Sequence, residues 1–555
     1  MPMSLPWAAE IHLFTPAVPE TGAMPIVWAF PSTYNVGITS LGYQLIWGIL
    51  AQRSDVRVSR LFTDGGEVLP SRPELVGFSF AWELDYPHIF NLLEQLGIPL
   101  LSHERQNHHP LVFGGGPVLS ANPEPFANFF DVILLGDGEE LIPNFLDNYQ
   151  AIRNHNRPEK LLRLAQIPGI YIPQFYQPVY QSITGFLETV IPHPEVPPTI
   201  KRQTYKGNTL ATSTVVTPHA AWENIYLVEV VRSCPEMCRF CLASYLTLPF
   251  RNAEINTGLI PAIQRGVAVT HRIGLLGPSV TQHPEFPELL TYLNQPEFDA
   301  LRLSLASVRA ATVDELLVET LVRHQSQSLT IAVESGSERL RQVINKKLTQ
   351  PEIFQAAKVA QKGGLKGLKL YSIVGVPTEN ETDVQATVDL MQELRKIAPR
   401  LRLTLGCSTF VPKAHTPWQW LGVNPQAEKR LQFLSKHLGK LGVEFRPESY
   451  KDSLVQAVIS RGDRRLTQLL LLTRNYGVSL GGIRRAFKEL RGQLPPLDFY
   501  VHQDWSENRF LPWQHLTGTV GLAMLVSHRQ RSFATAPSTA PPAGEWRVNS
   551  PESRG

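Results

Sequence analysis

Short apolar runs alternate with helical patterns through most of this 555-residue chain. That alternation limits the fold more than any other feature, because strand-then-helix repetition is the signature of a parallel sheet covered by helices. Between residues 26 and 165 the runs are IVWAF, VRVSRLF, LVGFSF, PLVFGG and DVILLG, with LGYQLIWGILAQ and HIFNLLEQLG as helical patterns between them. They predict a doubly wound, Rossmann-like sheet. A second series between 223 and 412 comprises ENIYLVEVVR, RIGLLG, ALRLSLAS, SLTIAVE, LKGLKLYSIVG and LRLTLGCSTFVP. Six β/α units in this length are too few for a closed eight-fold barrel of about 250 residues, so a partial (β/α)6 barrel is expected.

An α/β chain with six segments follows from these patterns. Residues 1–25 read as a flexible N-terminus, 26–165 as the Rossmann-like domain, and 166–220, with PGIYIPQFYQP and PHPEVPPT, as a proline-broken linker. Residues 221–425 form the barrel core and 426–530 a helical, basic region. Residues 531–555 form a Pro/Ala/Ser tail expected to be disordered. Hydrophobic residues at 43% and charged residues at 18% exclude a largely disordered chain. No apolar run approaches the ~20 residues of a membrane span, and MPMSLPWAAEIHLF lacks a basic n-region and a long h-region. A cytoplasmic protein without membrane insertion is expected. Charge is uneven: residues 426–530 carry net +7 and residues 1–425 net −5. The cluster Arg461, Arg464, Arg465, Arg474, Arg484, Arg485, Lys488 and Arg491 could face phosphates, as in RNA or a nucleoprotein, or form a solvated helical surface.

The chain has four cysteines, three of them within eight residues: Cys234-Pro-Glu-Met-Cys238-Arg-Phe-Cys241. The loop follows a barrel strand, at the carboxyl edge where such folds place their chemistry. Three thiolates from one loop can ligate three irons of a [4Fe–4S] cube and leave the fourth iron open. Zinc is the alternative, and needs a fourth ligand such as Cys407 or a histidine.

This CxxxCxxC with an aromatic residue, Phe240, before the last cysteine resembles the hallmark of the radical SAM enzymes. PSTYNVGITSLGYQ, VFGGGPVLSANPEPFANFFDVILLGDGEE, TIAVESGSERLRQVINKK, FVPKAHTPWQW and SRGDRR resemble a bacterial group within them. Its members join a cobalamin-binding-like domain to a radical SAM core and a helical C-terminal region. One departure is Ser233, where the group usually has glycine. The resemblance implies a [4Fe–4S] cluster on Cys234, Cys238 and Cys241, and S-adenosylmethionine (SAM) held near Phe240, Gly277, Ser279, Ser304, Glu334, Ser335, Ile373 and Gly375. It also implies a reductant such as ferredoxin or flavodoxin. The turn at Gly277-Pro-Ser279 lacks the acid that relatives carry there, Glu334 has helix capping as an alternative, and Gly375 with Pro377 could be a plain turn.

Cobalamin is a further implied cofactor. The loop Pro31–Gly37 has no histidine to ligate it, so binding would rest on Ser79, Gly114 and Gly115; the alternative is a domain that keeps the fold for substrate or partner binding. Methylthiolation is disfavoured, because relatives with that activity carry three further cysteines in the first domain and this chain has none there. Cys407, near the end of the sixth strand, is the catalytic candidate as methyl carrier or hydrogen donor, with a small buried hydrophobe as the alternative. His415, beside Trp418 and Trp420, reads as a structural loop residue near the barrel mouth. The resulting expectation is a radical SAM enzyme that cleaves SAM and modifies a substrate, with cobalamin-dependent methyl transfer as one outcome. A non-catalytic iron–sulfur sensor or an RNA-associated binding protein is the other reading.

Overall fold

The computed structural model describes residues 6–534. Its first sheet holds five parallel strands, β1 (Met24–Ala29), β2 (Val56–Phe62), β3 (Leu75–Ser79), β4 (Leu111–Gly115) and β5 (Val132–Leu134). Their order is β2-β1-β3-β4-β5, with Gly65–Gly66 and Ile170–Tyr171 as antiparallel edges. This is the doubly wound arrangement expected, and the near-continuous apolar runs exist because helices cover both faces. Ile26, Val27, Trp28 and Ala29 are accordingly all buried.

The second sheet is an open half-barrel. Parallel strands β6 (Ile225–Glu229), β7 (Arg272–Leu276) and β8 (Arg302–Leu305) form one part. The other part consists of β9 (Ser328–Glu334), β10 (Gly367–Val374), β11 (Arg402–Thr409) and β12 (Glu444–Pro447). A single parallel bridge, Val308 to Ile331, joins them, with the Val308 N–H donating to the Thr330 carbonyl at 2.9 Å. The six strands read from the sequence are present, and β12 extends the sheet from a stretch that reads as helical. Side chains alternate across each strand. Leu368, Leu370 and Val374 of β10 pack with Met391 and Leu394 under the helices, which turns Lys369, Tyr371 and Ile373 to the concave side.

Tertiary contacts hold segments that composition marks as loose. Glu10 is buried against Arg60, with both carboxylate oxygens accepting from the guanidinium at 2.8 and 2.9 Å, while the Tyr34 hydroxyl donates to it at 2.5 Å. Residues 166–220 add the edge strand Ile170–Tyr171 and the hairpin Tyr176–Tyr180 with Leu187–Pro192. Gln203 then runs along the end of β5, its N–H on Leu135 O at 2.9 Å and its carbonyl accepting from the Asp137 N–H at 3.1 Å. Of the tail at 531–555, residues 531–534 end the helix Leu522–Ala534; the remainder lies outside the described residues.

Half of the basic cluster is paired within the protein, three of its members at least partly buried. Arg461 is buried over the Trp505 ring at 3.9 Å and donates to the Tyr500 and Gln503 carbonyls. Arg464 pairs with Glu124 at 3.0 Å and donates to the carbonyls of Pro173 and Tyr176. Arg465 binds Asp463 at 2.6 Å and stacks on Tyr180, and Arg474 pairs with Glu94. The phosphate-facing expectation is therefore corrected for these four: Arg464 and Arg474 dock the C-terminal helices on the first domain, Arg465 holds the hairpin at 176–192, and Arg461 ties the C-terminal region to itself. Arg484, Arg485, Lys488 and Arg491 remain exposed on and after the helix Leu480–Glu489.

Removing one partner of a buried ion pair strands the other charge, at about 3–5 kcal/mol. Arg464→Ala is expected to lower the thermal and urea midpoints markedly, whereas Arg484→Ala changes stability by less than about 0.5 kcal/mol. Equal midpoints for the two variants would contradict the structural role given to Arg464.

Candidate active site

β6 ends at Glu229, and Val231–Arg232 pairs antiparallel with Arg251–Asn252, so the cysteine loop between them is closed at its base. Ser233 and Met237 adopt left-handed backbone, φ 69° and 54°, a conformation that costs a side-chain-bearing residue. Ser233, the residue that departs from the usual glycine, is fully buried in that strained state.

The loop is fastened to the carboxyl end of the helix Glu338–Ile344. Arg239 donates its N–H to Ile344 O at 2.9 Å and its guanidinium to the carbonyls of Gln342 and Val343 at 2.9 and 2.5 Å. A helix end leaves carbonyls unpaired and favours a cation, and Arg239 meets both needs. Asn345, left-handed at φ 64°, donates in return to the Glu236 and Met237 carbonyls at 3.0 and 2.9 Å. Its own carbonyl lies 3.8 Å from Cys238 Sγ. On the other side, Tyr245 donates its hydroxyl to Met237 O at 2.9 Å, and His528 Nδ1 lies 2.9 Å from that hydroxyl. His528 belongs to the C-terminal helix, which Trp418 holds through a 3.2 Å bond to Ser532.

Cys234, Cys238 and Cys241 are free thiols that interact electrostatically with one another. Burial pushes the Cys238 thiol up to about 12, against the pull of Lys346, and burial also raises Cys241. No three His, Cys, Asp or Glu side chains among the described residues gather as they would around a single ion. A cube differs in demand, since each thiolate takes a separate iron. Three free thiols on one short, fastened loop fit that donor set.

A cavity opens beside Cys234 and Cys238, lined also by Glu236, Ser279, Ser307, Arg309 and Lys346. Lys346 pairs with Glu334 at 2.8 Å, and Glu334 together with the thiols raises the lysine's pKa against the cost of burial. Glu334 itself is buried in left-handed backbone at φ 63°. It does not cap the next helix: Ser337 does, accepting from the Leu340 N–H at 3.3 Å. Glu236 is held by Gln282 at 2.6 Å and Arg309 at 3.0 Å.

Several expected residues converge here. Ser279 lines the cavity, bonded to Gln282. Phe240, Cys241 and Ile373 pack on one apolar cluster with Cys238, Val376 and Phe410, which Phe533 of the C-terminal helix also joins. Gly277, at φ 150°, approaches Val231 so closely that a Cβ would lie 2.6 Å from its carbonyl oxygen. Its glycine thus seats the second strand end against the cysteine loop. Ser304 is exposed on β8, on the face opposite Leu303 and deeper than the cavity. Gly375 lies at φ 82° in the turn after β10, where its N–H donates to Glu379 at 2.6 Å.

Other expectations are corrected. Ser335 is turned toward its own helix, its Oγ accepting from the Ser337 N–H at 3.1 Å. Cys407 is buried in the core with Leu403 and Leu405, on the helix-facing side of β11, and burial pushes its thiol up to about 12. It faces neither the cavity nor the three thiols, so it drops out as catalytic residue and as fourth zinc ligand. In the first domain Ser79 and Gly115 pair across β3 and β4 at the carboxyl edge, but the space beside Gly114 is filled by Leu119 and Phe130. Gly114 serves packing. His415 is partly exposed, at φ 62°, and desolvation of its ring beside Arg202 holds its pKa well below the usual value.

The reading from sequence missed Glu236, Arg309, Lys346 and the C-terminal helix. Only Asn345-Lys346-Lys347 carried a local signal, an asparagine suited to a left-handed helix end.

Family models agree with this geometry. One described as radical SAM proteins, N-terminal, matches residues 69–173, and one described as radical SAM superfamily matches residues 228–391. The chain carries a radical SAM domain. That domain supports an enzyme of unspecified reaction, and enzymes of the radical SAM superfamily use a [4Fe–4S] cluster, SAM and a reductant. An uncharacterized protein of Methanocaldococcus jannaschii is 25% identical over 450 residues, covering 80% of this chain and 90% of that protein. A tRNA-2-methylthio-N(6)-dimethylallyladenosine synthase of Alkaliphilus oremlandii is 26% identical over 179 residues, 30% of this chain and 38% of that enzyme. Among solved structures, the radical SAM methyltransferase TsrM from Kitasatospora setae, with cobalamin and a [4Fe–4S] cluster bound, has a TM-score of 0.51. That match has 12% identity and covers 92% of this chain and 99% of TsrM, a likeness of fold. No helix among the described residues is long and apolar enough to cross a membrane.

In the cluster-free protein, a thiol reagent under native conditions is expected to modify Cys234 and Cys241 first, and Cys407 only after denaturation. Peptide mapping that finds Cys407 among the first labelled would contradict its place in the core.

Proposed function

We propose that this radical SAM enzyme reductively cleaves SAM to a 5′-deoxyadenosyl radical and uses it to modify a substrate bound in the half-barrel. The observation that carries the reading is the three-cysteine loop, two of whose thiols, Cys234 and Cys238, line a cavity that also presents Lys346 and Arg309. Cys234, Cys238 and Cys241 would hold a [4Fe–4S] cluster, whose contribution when bound is one electron for cleavage of a carbon–sulfur bond in SAM. Lys346 and Arg309 would neutralise the SAM carboxylate, with Glu334 and Glu236 fixing their ammonium and guanidinium groups in place. Phe240 and Ile373 offer the apolar surface for adenine, and the C-terminal helix shields that surface from water. Ferredoxin or flavodoxin is the proposed electron donor.

Cobalamin-dependent methyl transfer is the outcome we favour. The loop Gly136–Glu139 at the carboxyl edge of the first sheet is tied to the base of the cysteine loop. Arg232 pairs with Glu139 at 2.7 Å and Asp137 at 3.3 Å, and Arg251 with Asp137 at 2.6 Å. A group on that edge, at Ser79 and Gly115, would look toward the cluster loop. With no histidine in residues 31–37, the donors present fit a corrinoid without a protein imidazole ligand. The absence of further cysteines in the first domain argues against methylthiolation. These roles fall to a first domain at 26–165, a core that runs from 221 past 425 to β12 at Glu444–Pro447, and the helices that follow.

After anaerobic reconstitution with iron and sulfide, the protein is expected to bind about four irons per chain and to yield 5′-deoxyadenosine from SAM and a strong reductant. Ala at Cys234, Cys238 or Cys241 abolishes both, and Cys407→Ala leaves the cluster intact. Lys346→Met keeps the cluster but weakens SAM binding roughly tenfold, the loss of one charge-assisted contact of about 1.4 kcal/mol. A cluster that forms without SAM cleavage puts the sensor reading ahead. Gel filtration after incubation with hydroxocobalamin reads the second part, and a corrinoid-free protein peak would remove the methyl-transfer subtype.

A further inference from the structure

The concave face of the half-barrel below the cavity is open and basic. Alternation places Arg302 of β8, Lys369 and Tyr371 of β10, Arg402 of β11 and Arg446 of β12 on that face, opposite the core residues Leu303, Leu368, Leu370 and Leu403. All five are exposed, Tyr371 by half of its surface. Glu444 supplies a carboxylate there, shared by Arg402 at 2.7 Å and Arg446 at 2.5 Å. The side chains of Arg302 and Lys369 have no hydrogen bond or ion pair among the described residues. Strand register aligns Tyr371 with Gly406 and Gly406 with Arg446. The Tyr371 ring packs against Gly406, where a Cβ would sit 2.9 Å from it, so one glycine makes room for the aromatic on the sheet.

An exposed tyrosine packed on the sheet among cations has little use in a packed core. A planar ring stacks on such a face, and unpaired cations around it attract phosphates. We propose that this face binds the substrate, and that the substrate carries a planar ring and a phosphate, as a nucleotide does. The inference rests on the reading that the cysteine loop marks the reacting end. Tyr371 lies two residues below Ile373 and Lys369 four, or about 7 and 13 Å at the rise of a strand. A nucleotide lying along β10 would hold its phosphate at the basic floor while its ring reaches toward the cluster end. This assigns nucleotide chemistry to the barrel floor, away from the exposed arginines of the helix Leu480–Glu489.

The test uses the full-length reconstituted protein with saturating SAM, so that the adenosyl surface is already taken. Probes are 5′-UMP, uridine, inorganic phosphate and a fluorescein-labelled single-stranded 12-mer oligoribonucleotide. The wild type is expected to bind 5′-UMP or the 12-mer at least tenfold more tightly than uridine or phosphate alone. Binding of 5′-UMP identifies a free nucleotide as the source, and binding of the 12-mer alone identifies RNA. Lys369→Glu and Arg302→Glu should each weaken binding about tenfold and, for the 12-mer, lower the slope of log affinity against log salt by about one. Tyr371→Leu should weaken the ring-bearing probe while leaving weak phosphate binding unchanged. Arg484→Glu combined with Lys488→Glu should leave binding as in the wild type. Melting curves check that each variant folds, and Lys369→Gln is the milder substitution if the charge reversal does not. Binding of neither nucleotide probe, equal binding of phosphate and 5′-UMP, or loss only in the Arg484 and Lys488 variant would overturn the proposal. Production of 5′-deoxyadenosine is measured on the same samples. SAM cleavage without nucleotide binding sinks only the substrate class, whereas nucleotide binding lost in the variants but without SAM cleavage removes the catalytic reading and keeps the binding face.

Discussion

The contact between Arg239 and the carbonyl end of the helix Glu338–Ile344 is the constraint on which the site depends. A cysteine loop with two residues in left-handed backbone would not hold one shape by its own propensities. The helix end supplies carbonyls that need donors, the loop supplies a guanidinium, and Asn345 returns two bonds to the loop backbone. The same short stretch carries Lys346 into the cavity. One helix terminus thus fixes the three thiols and places a cation beside them, which couples cluster binding to the fourth β/α unit of the barrel.

Charge performs the remaining assembly. The first domain meets the cysteine loop through Asp137 and Glu139 on Arg232 and Arg251, and meets the C-terminal helices through Glu124 on Arg464. These pairs are partly or fully buried, so their value lies in geometry: a buried guanidinium accepts only arrangements that satisfy it. Part of the positive charge in residues 426–530 is therefore an internal adhesive, through Arg461, Arg464 and Arg465, while most of its lysines and arginines stay exposed.

Most of the fold was legible. Both β/α series, the partial barrel and the cysteine loop at a strand end follow from periodicity and spacing, because parallel strands buried on two faces need long apolar runs and thiolate ligands need a short loop. The elements that were not legible depend on contacts distant in sequence. The strand Glu444–Pro447 is only four residues long and gains its place by pairing with Arg402–Thr409. Residues 6–25 look unstructured until Glu10 meets Arg60, fifty residues away. Within the site, Cys234, Cys238 and Cys241 stand out by spacing, and Phe240, Ser279, Glu334 and Ile373 by resemblance to radical SAM enzymes; all lie at or after strand ends, where chain topology brings them to one rim. For Cys407 the sequence left two readings, a lumen thiol and a small buried hydrophobe, and the structure selects the second, since a residue facing the helices and one facing the lumen differ by one position along a strand.

The sequence by itself determined the metal chemistry available, three thiols in eight residues, and the parallel α/β architecture that carries them to a carboxyl edge. Both are local properties, written in spacing and periodicity. Tertiary structure decided which cations are spent on holding the chain together and which face open space. Arg464 and Lys369 look alike in sequence, yet Arg464 is locked against Glu124 while Lys369 stands unpaired beside Tyr371. The physical reason is that a charge takes its role from its partners and its burial, and both are set by residues hundreds of positions away or on a neighbouring strand.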